Sequence, residues 1–169
     1  PFWACHTPTI MPIVSTKAIS HEQMCGFRDN PALYQNLMDR HDHTWIISVT
    51  NTDIPPVFDP HPGLLMLAFD DTDMRNQESV AYADQEGWTT PFNAVMAREV
   101  VRFLESAHND VPGDSLVLVN CMAGISRSGA ICTFIRERYG IDYHEFKQMN
   151  PQVQPNRWVV NLLHAAARR

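Results

Sequence analysis

The stretch LVLVNCMAGISRSGA, residues 116–130, restricts the fold more than any other part of the chain. Residues 116–119 are apolar without alternation, the pattern of a strand covered on both faces. The chain then passes through CMAGIS into a helical pattern in which Ile131, Phe134 and Ile135 share a face and Gly140 supplies the stop. Strand, short loop and helix in that order are the unit of a parallel α/β protein. Other segments agree with it. Residues 45–49 and 64–69 are short bulky runs of strand length, and the proline cluster IPPVFDPHPG at 54–63 between them reads as a loop. Thr90 and Pro91 read as a cap and first-turn pair, opening an amphipathic helix through Phe92, Met96, Val100 and Phe103 up to VPGD at 111–114. Residues 142–149 and 156–167 suggest two more helices, and the first forty residues a strand near Ile13 and a helix at 34–40. The pattern predicts an α/β fold with a central, mostly parallel sheet flanked by helices.

At 169 residues the chain is close to the roughly 150 typical of a domain, so residues 1–169 are expected to make one unit. Its longest uninterrupted apolar run, residues 64–69, is far shorter than the roughly 20 residues of a membrane span. Thirteen basic against nineteen acidic side chains give a net charge of −6, which disfavours nucleic acid and anionic membrane as partners. Cys5, Cys25, Cys121 and Cys132 have neither C-x-x-C pairing nor the density of a disulfide scaffold, and fit a reducing compartment, hence a cytoplasmic location. The opening PFWACHTPTIMPIV lacks a basic start followed by an apolar run, though without an initiator Met the chain leaves a removed upstream piece open.

Chemistry concentrates in the loop. Cys121 and Arg127 are separated by the five residues Met122, Ala123, Gly124, Ile125 and Ser126. A loop of that length between strand and helix can curl so that successive N–H groups converge, where the helix dipole adds partial positive charge. A phosphate-sized anion fits there. Arg127 can offer parallel N–H donors to two of its oxygens, with Cys121 beneath the phosphorus for in-line attack. A free cysteine, with a pKa of about 8.5, is only a few per cent thiolate at neutral pH, so a nucleophile in this position needs the loop amides, the dipole and the Ser128 hydroxyl together.

These residues resemble the signature of the cysteine-dependent protein tyrosine phosphatases, in particular the dual-specificity branch, whose loop reads H-C-x-x-G-x-x-R-S and often A-G-x-S-R-S. Cys121, Ala123, Gly124, Ser126, Arg127 and Ser128 match, and NPQVQPNRWVVNLL at 150–163 is similar to the proline-asparagine segment that opens the last helix of that branch. The resemblance implies a protein phosphatase acting on phosphotyrosine, with phosphoserine or phosphothreonine as further substrates, through a cysteinyl-phosphate intermediate and without cofactor or metal. It implies a general acid after an upstream strand, where FDDTD offers Asp70, Asp71 and Asp73; matching the strand end favours Asp71, with Asp70 one residue away as runner-up. It implies that Met122 to Arg127 hold the phosphoryl oxygens and that Ser128 stabilises the departing thiolate. Two positions depart from the pattern. Asn120 replaces the usual His and is expected to orient the loop by hydrogen bonding without carrying charge. Residues 72–88 read as a polar excursion whose acidic groups should face away from a phosphate.

Blander readings compete at several positions. Cys132, one turn into an apolar helix, reads as core, and Trp158 and Phe134 as core aromatics. His41, His43, Asp39 and Asp42 are of metal-ligating type, but a charged run before a strand is more often solvated surface. Gly124 and Gly129 have nucleotide-loop spacing, yet Ala130 and Ile131 stand where Lys and Ser/Thr are required. The absence of Lys or a second Arg within 122–126 disfavours inositol phosphates, and the net charge disfavours RNA ends. Outside hydrolysis, the alternatives are a pseudophosphatase that binds phosphoproteins, for which Asn120 is the main support, and sulfur transfer or arsenate reduction, which a missing resolving cysteine disfavours.

Overall fold

A computed structural model describes residues 12–168. Cys5 and the opening stretch up to residue 11 lie outside the described residues. Strands β1 (Ile13–Ser20), β2 (His43–Thr50), β3 (Leu64–Ala68) and β4 (Ser115–Cys121) form one parallel sheet in the order β1-β4-β2-β3. The segments expected as strands are strands, and β4, central and buried at every residue, continues through Asn120 and Cys121. The crossover from β2 to β3 is made by the proline-rich loop itself, which seals the sheet with Val57 at 4% exposure where a helix would otherwise lie.

Helices are α1 (His21–Asp29), α2 (Gln35–Met38), preceded by a 3-10 turn at Pro31–Tyr34, α3 (Gln77–Gln85), α4 (Ala94–Asn109), α5 (Arg127–Tyr139), α6 (Tyr143–Met149) and α7 (Arg157–Ala167). The pleat of β4 divides the core. Val117, Val119 and Cys121 face a large cluster built with α4, α5 and α7, while Leu116 and Leu118 face a smaller one with Met24 and Phe27 of α1. Asn120 continues the second face and Cys121 the first.

Three expectations are corrected. The amphipathic helix begins at Ala94, capped by Asn93, whose Oδ1 accepts from the N–H groups of Val95 and Met96; Thr90 and Pro91 instead pair with Asp70 across an isolated bridge. Phe92 precedes that helix and packs on Phe69 at a centroid distance of 4.8 Å. The excursion at 72–88 contains α3, capped by Asn76, in which Ala83 is the buried residue. α1 fell in a region expected to hold only a strand and a later helix; Ser20 and Gln23 close a capping box at its start.

Candidate active site

The loop between β4 and α5 has its carbonyls tied outward. Met122 O accepts from the His21 N–H at 3.2 Å, Gly124 O from Gln152 Nε2 at 3.1 Å, Ile125 O from the Gln154 N–H at 3.2 Å and Ser126 O from the Asn156 N–H at 3.3 Å. Among the described residues nothing accepts from the N–H groups of residues 123–126. Gly124 sits at φ 73°, and a Cβ there would fall 2.6 Å from the Ile19 carbonyl carbon, so the tight curl against β1 requires glycine.

The start of α5 differs from its neighbours in the same sense. Side chains of Ser20, Asn76, Asn93, Asp142 and Asn156 cap α1, α3, α4, α6 and α7, whereas Ser126 makes no capping bond to α5. The first turn of α5 therefore keeps its N–H groups and the positive end of its dipole for whatever occupies the loop.

Cys121 is 2% exposed, and its Sγ lies 3.1 Å from Ser128 Oγ. Arg127, 5% exposed, is aimed by one nitrogen: Nη1 donates to Asn51 Oδ1 and to Phe69 O, each at 2.7 Å. The opposite edge is unengaged, and buried Nε has no partner among the described residues. A guanidinium edge that is buried and unsatisfied is costly unless an acceptor completes it, and the parallel N–H pair there suits two oxygens of an oxyanion.

Of the three aspartates after β3, Asp71 is the one whose carboxylate reaches the loop. Its Oδ1 accepts from Ser126 Oγ and from Asn156 Nδ2, both at 2.9 Å, while Oδ2 makes no hydrogen bond among the described residues. Asp70 is buried and turned away: its Oδ2 accepts from the Thr90 N–H at 2.9 Å. Asp73 pairs with Arg75; desolvation pushes its carboxyl up, but hydrogen bonds from Arg75 and the guanidinium charge outweigh this and hold it below the usual range.

Asn120 does not orient the loop as expected. Fully buried, it has no hydrogen-bond partner among the described residues for either amide atom, nor has Ser48 Oγ, its neighbour in register. The reason is the strand's alternation, which turns Asn120 to the α1 face while Cys121 enters the loop. Loop anchoring falls instead to Gln152 and Asn156, and the aim of Arg127 to Asn51, residues that the motif did not bring forward. The signal available for Asn156 was its place as cap before an apolar helical run: its Oδ1 accepts from Trp158 and Val159 N–H groups.

The remaining candidates have structural settings. Cys132 is wholly buried, accepts from Thr16 Oγ1 at 3.2 Å, and burial pushes its thiol up to about 12, so it is neutral near pH 7. Phe134 is in the core, and half-buried Trp158 donates from Nε1 to Phe92 O at 2.8 Å. Asp42 and His43 fasten the turn before β4, through the Asp114 N–H and Pro112 O, while His41 holds Leu37 O and Asp39 accepts from Gln35. No helix among the described residues is long and apolar enough to cross a membrane.

No protein-family model matches the chain. No curated protein matches it. Solved structures do. A PTP-2 phosphatase of Cydia pomonella is 19% identical with a TM-score of 0.50, covering 89% of this chain and 84% of that one. Human DUSP28 is 16% identical with a TM-score of 0.46, covering 94% of this chain and 96% of that one. A human tyrosine phosphatase-like serine/threonine/tyrosine-interacting protein is 23% identical with a TM-score of 0.44, covering 77% and 80%. The chain shares the α/β fold of that PTP-2 phosphatase, the fold that the residues around Cys121 lead one to expect.

Proposed function

We propose that the protein is a phosphatase that hydrolyses phosphotyrosine in proteins or peptides, and phosphoserine or phosphothreonine as further substrates, through a phosphoryl group carried on Cys121. The observation that carries this reading is the loop between Cys121 and α5: its carbonyls at Met122, Gly124, Ile125 and Ser126 have named partners, while the N–H groups of residues 123–126 and Arg127 Nε have none among the described residues.

In the first step the Cys121 thiolate attacks phosphorus, forming an S–P bond as the P–O bond to the leaving group breaks. Asp71 delivers its proton from Oδ2 to the departing phenolate or alkoxide, held in place by Ser126 and Asn156 on Oδ1. Residues Met122 to Ser126, through their amides, and Arg127, through its fork, stabilise the three equatorial oxygens as charge redistributes. In the second step ionised Asp71 takes a proton from water, whose oxygen attacks phosphorus and expels the thiolate. Ser128, 3.1 Å from the sulfur, donates to it as it leaves. Every proton and electron pair is accounted for by these side chains and water.

Hydrolysis of para-nitrophenyl phosphate tests the reading. The wild-type protein is expected to turn it over and Cys121→Ser to lose the activity. Asp71→Asn should slow phosphotyrosine, a poorer leaving group, by about 100-fold and para-nitrophenyl phosphate by much less. Wild-type protein that binds a phosphotyrosyl peptide and never releases phosphate would replace the enzyme with a phosphate-binding protein; Asp71→Asn with unchanged rates on both substrates would remove Asp71 from the mechanism.

A further inference from the structure

A groove of about 220 Å³ lies on the far side of the segment that anchors the loop. One side of that segment gives the Gln154 and Asn156 N–H groups to Ile125 O and Ser126 O, while Val153, Pro155 and Arg157 line the groove. Its other wall is α5 at Thr133 and Arg136, joined by Lys147 of α6. Three cations, Arg136, Lys147 and Arg157, thus meet in one concavity of a chain whose net charge is −6. The facing carboxylate, Glu137, is already divided between two partners, Arg136 Nη2 at 2.9 Å and His164 Nε2 at 2.7 Å. Arg136 is further fixed over the rings of Tyr143 and Phe146, 5.4 and 5.9 Å from their centroids. Lys147 and Arg157 have no ion-pair partner among the described residues.

We propose that this groove holds an acidic side chain of the segment flanking the phosphorylated residue of a protein substrate. The inference rests on the phosphatase reading above and narrows its substrates to acidic sequences. Distance supports it. Pro155 and Arg157, which line the groove, flank Asn156, whose N–H holds Ser126 O, so with consecutive Cα atoms about 3.8 Å apart the groove wall stands next to the loop. An extended peptide advances about 3.3 Å per residue, so an acidic residue three or four positions from the phosphorylated one spans that separation. The groove's shape favours a peptide side chain over a membrane: its cations line a concavity beside an aromatic rim, with Tyr143 at 61% exposure, and do not form a flat basic face.

Two phosphotyrosyl peptides decide the matter, one with glutamate three and four positions away on both sides, the other with glutamine there, measured against wild type, Lys147→Glu and the double variant Lys147→Glu, Arg157→Glu. The wild type is expected to favour the glutamate peptide by about tenfold in kcat/KM, about 1.4 kcal/mol, with the advantage shrinking as salt rises. The double variant should lose the preference while its para-nitrophenyl phosphate turnover stays within about twofold, since rim charges act on encounter and not on the chemical step. Fluorescence anisotropy of the same labelled peptides on Cys121→Ser protein, with and without the groove substitutions, reads the preference without turnover. A protein that turns over nothing therefore overturns the phosphatase reading while the groove is still decided. No glutamate preference in wild type, a preference that survives in the double variant, or groove cations that govern binding to phosphatidylserine vesicles in place of peptides would each overturn the proposal.

Discussion

Asn156 touches three parts of the candidate site. Its backbone N–H holds Ser126 O, its Nδ2 holds Asp71, and its Oδ1 caps α7, so one residue ties loop, carboxylate and helix together. The functions can be separated. Asn156→Ser keeps an oxygen to cap α7 but has no amide to donate to Asp71; Asn156→Ala loses both. Serine is expected to leave stability within about 0.5 kcal/mol and alanine to cost about 1 kcal/mol, read from thermal unfolding. Both should reduce kcat on phosphotyrosine about fivefold, the worth of one hydrogen bond of about 1 kcal/mol, with KM little changed. A rate loss confined to the alanine variant would make Asn156 a cap and nothing more. At this scale the motif was legible at Cys121, Gly124, Arg127 and Ser128, because a cysteine at a strand end, a positive φ and a guanidinium fork have few substitutes. The segment 150–163 stood out too, but the contacts of Gln152 and Asn156 within it, and of Asn51, did not, since an amide holding a carbonyl looks in sequence like any polar residue.

The elements show a similar division. β4 and α5 were readable because β4 is buried throughout and α5 over Arg127–Ile135, and α7 because its apolar face is continuous behind its cap. α1 and α3 were missed because each buries so little, Met24 and Phe27 in one and Ala83 in the other; their signals were the caps, Ser20 with Gln23 and Asn76. α5 also carries a titration that marks how tightly it is packed. The Cys132 thiol, with an ordinary value of 9.0, is raised by burial to about 12, so the folded state prefers it neutral. That preference is fully present below pH 9 and is lost as pH rises toward 12: the unfolded chain ionises first and is favoured. Stability to urea should therefore fall between about pH 9 and 12. In Cys132→Ala the fall should be shallower, on a stability about 1 kcal/mol lower near pH 7. Parallel curves for the two proteins would show that Cys132 ionises freely in the fold. Tyr139, which burial also raises to about 12, adds a limb of the same sign that is present in both proteins.

In the whole molecule, the strand-borne segments of the site leave the same end of the sheet. Ser20 ends β1 with His21 after it, Asn51 follows β2, Phe69 to Asp71 follow β3, and Cys121 ends β4. In a parallel sheet those carboxyl ends lie together, and ligands of open α/β folds bind in the crevice outside them. Distant stretches of sequence therefore meet at Cys121 as a consequence of strand direction: Arg127 bridges Asn51 and Phe69, and Asp71 meets Ser126 and Asn156. The account stands or falls on what the sulfur does there. Rapid quench of wild-type protein in alkaline detergent during turnover of a radiophosphate-labelled phosphotyrosyl peptide, followed by proteolysis and mapping at alkaline pH, tests this most directly. Label is expected on the peptide containing Cys121, more of it when Asp71→Asn slows breakdown, and none in Cys121→Ser. Phosphate released at full rate with no label on that peptide, or with label on a histidine, would contradict it.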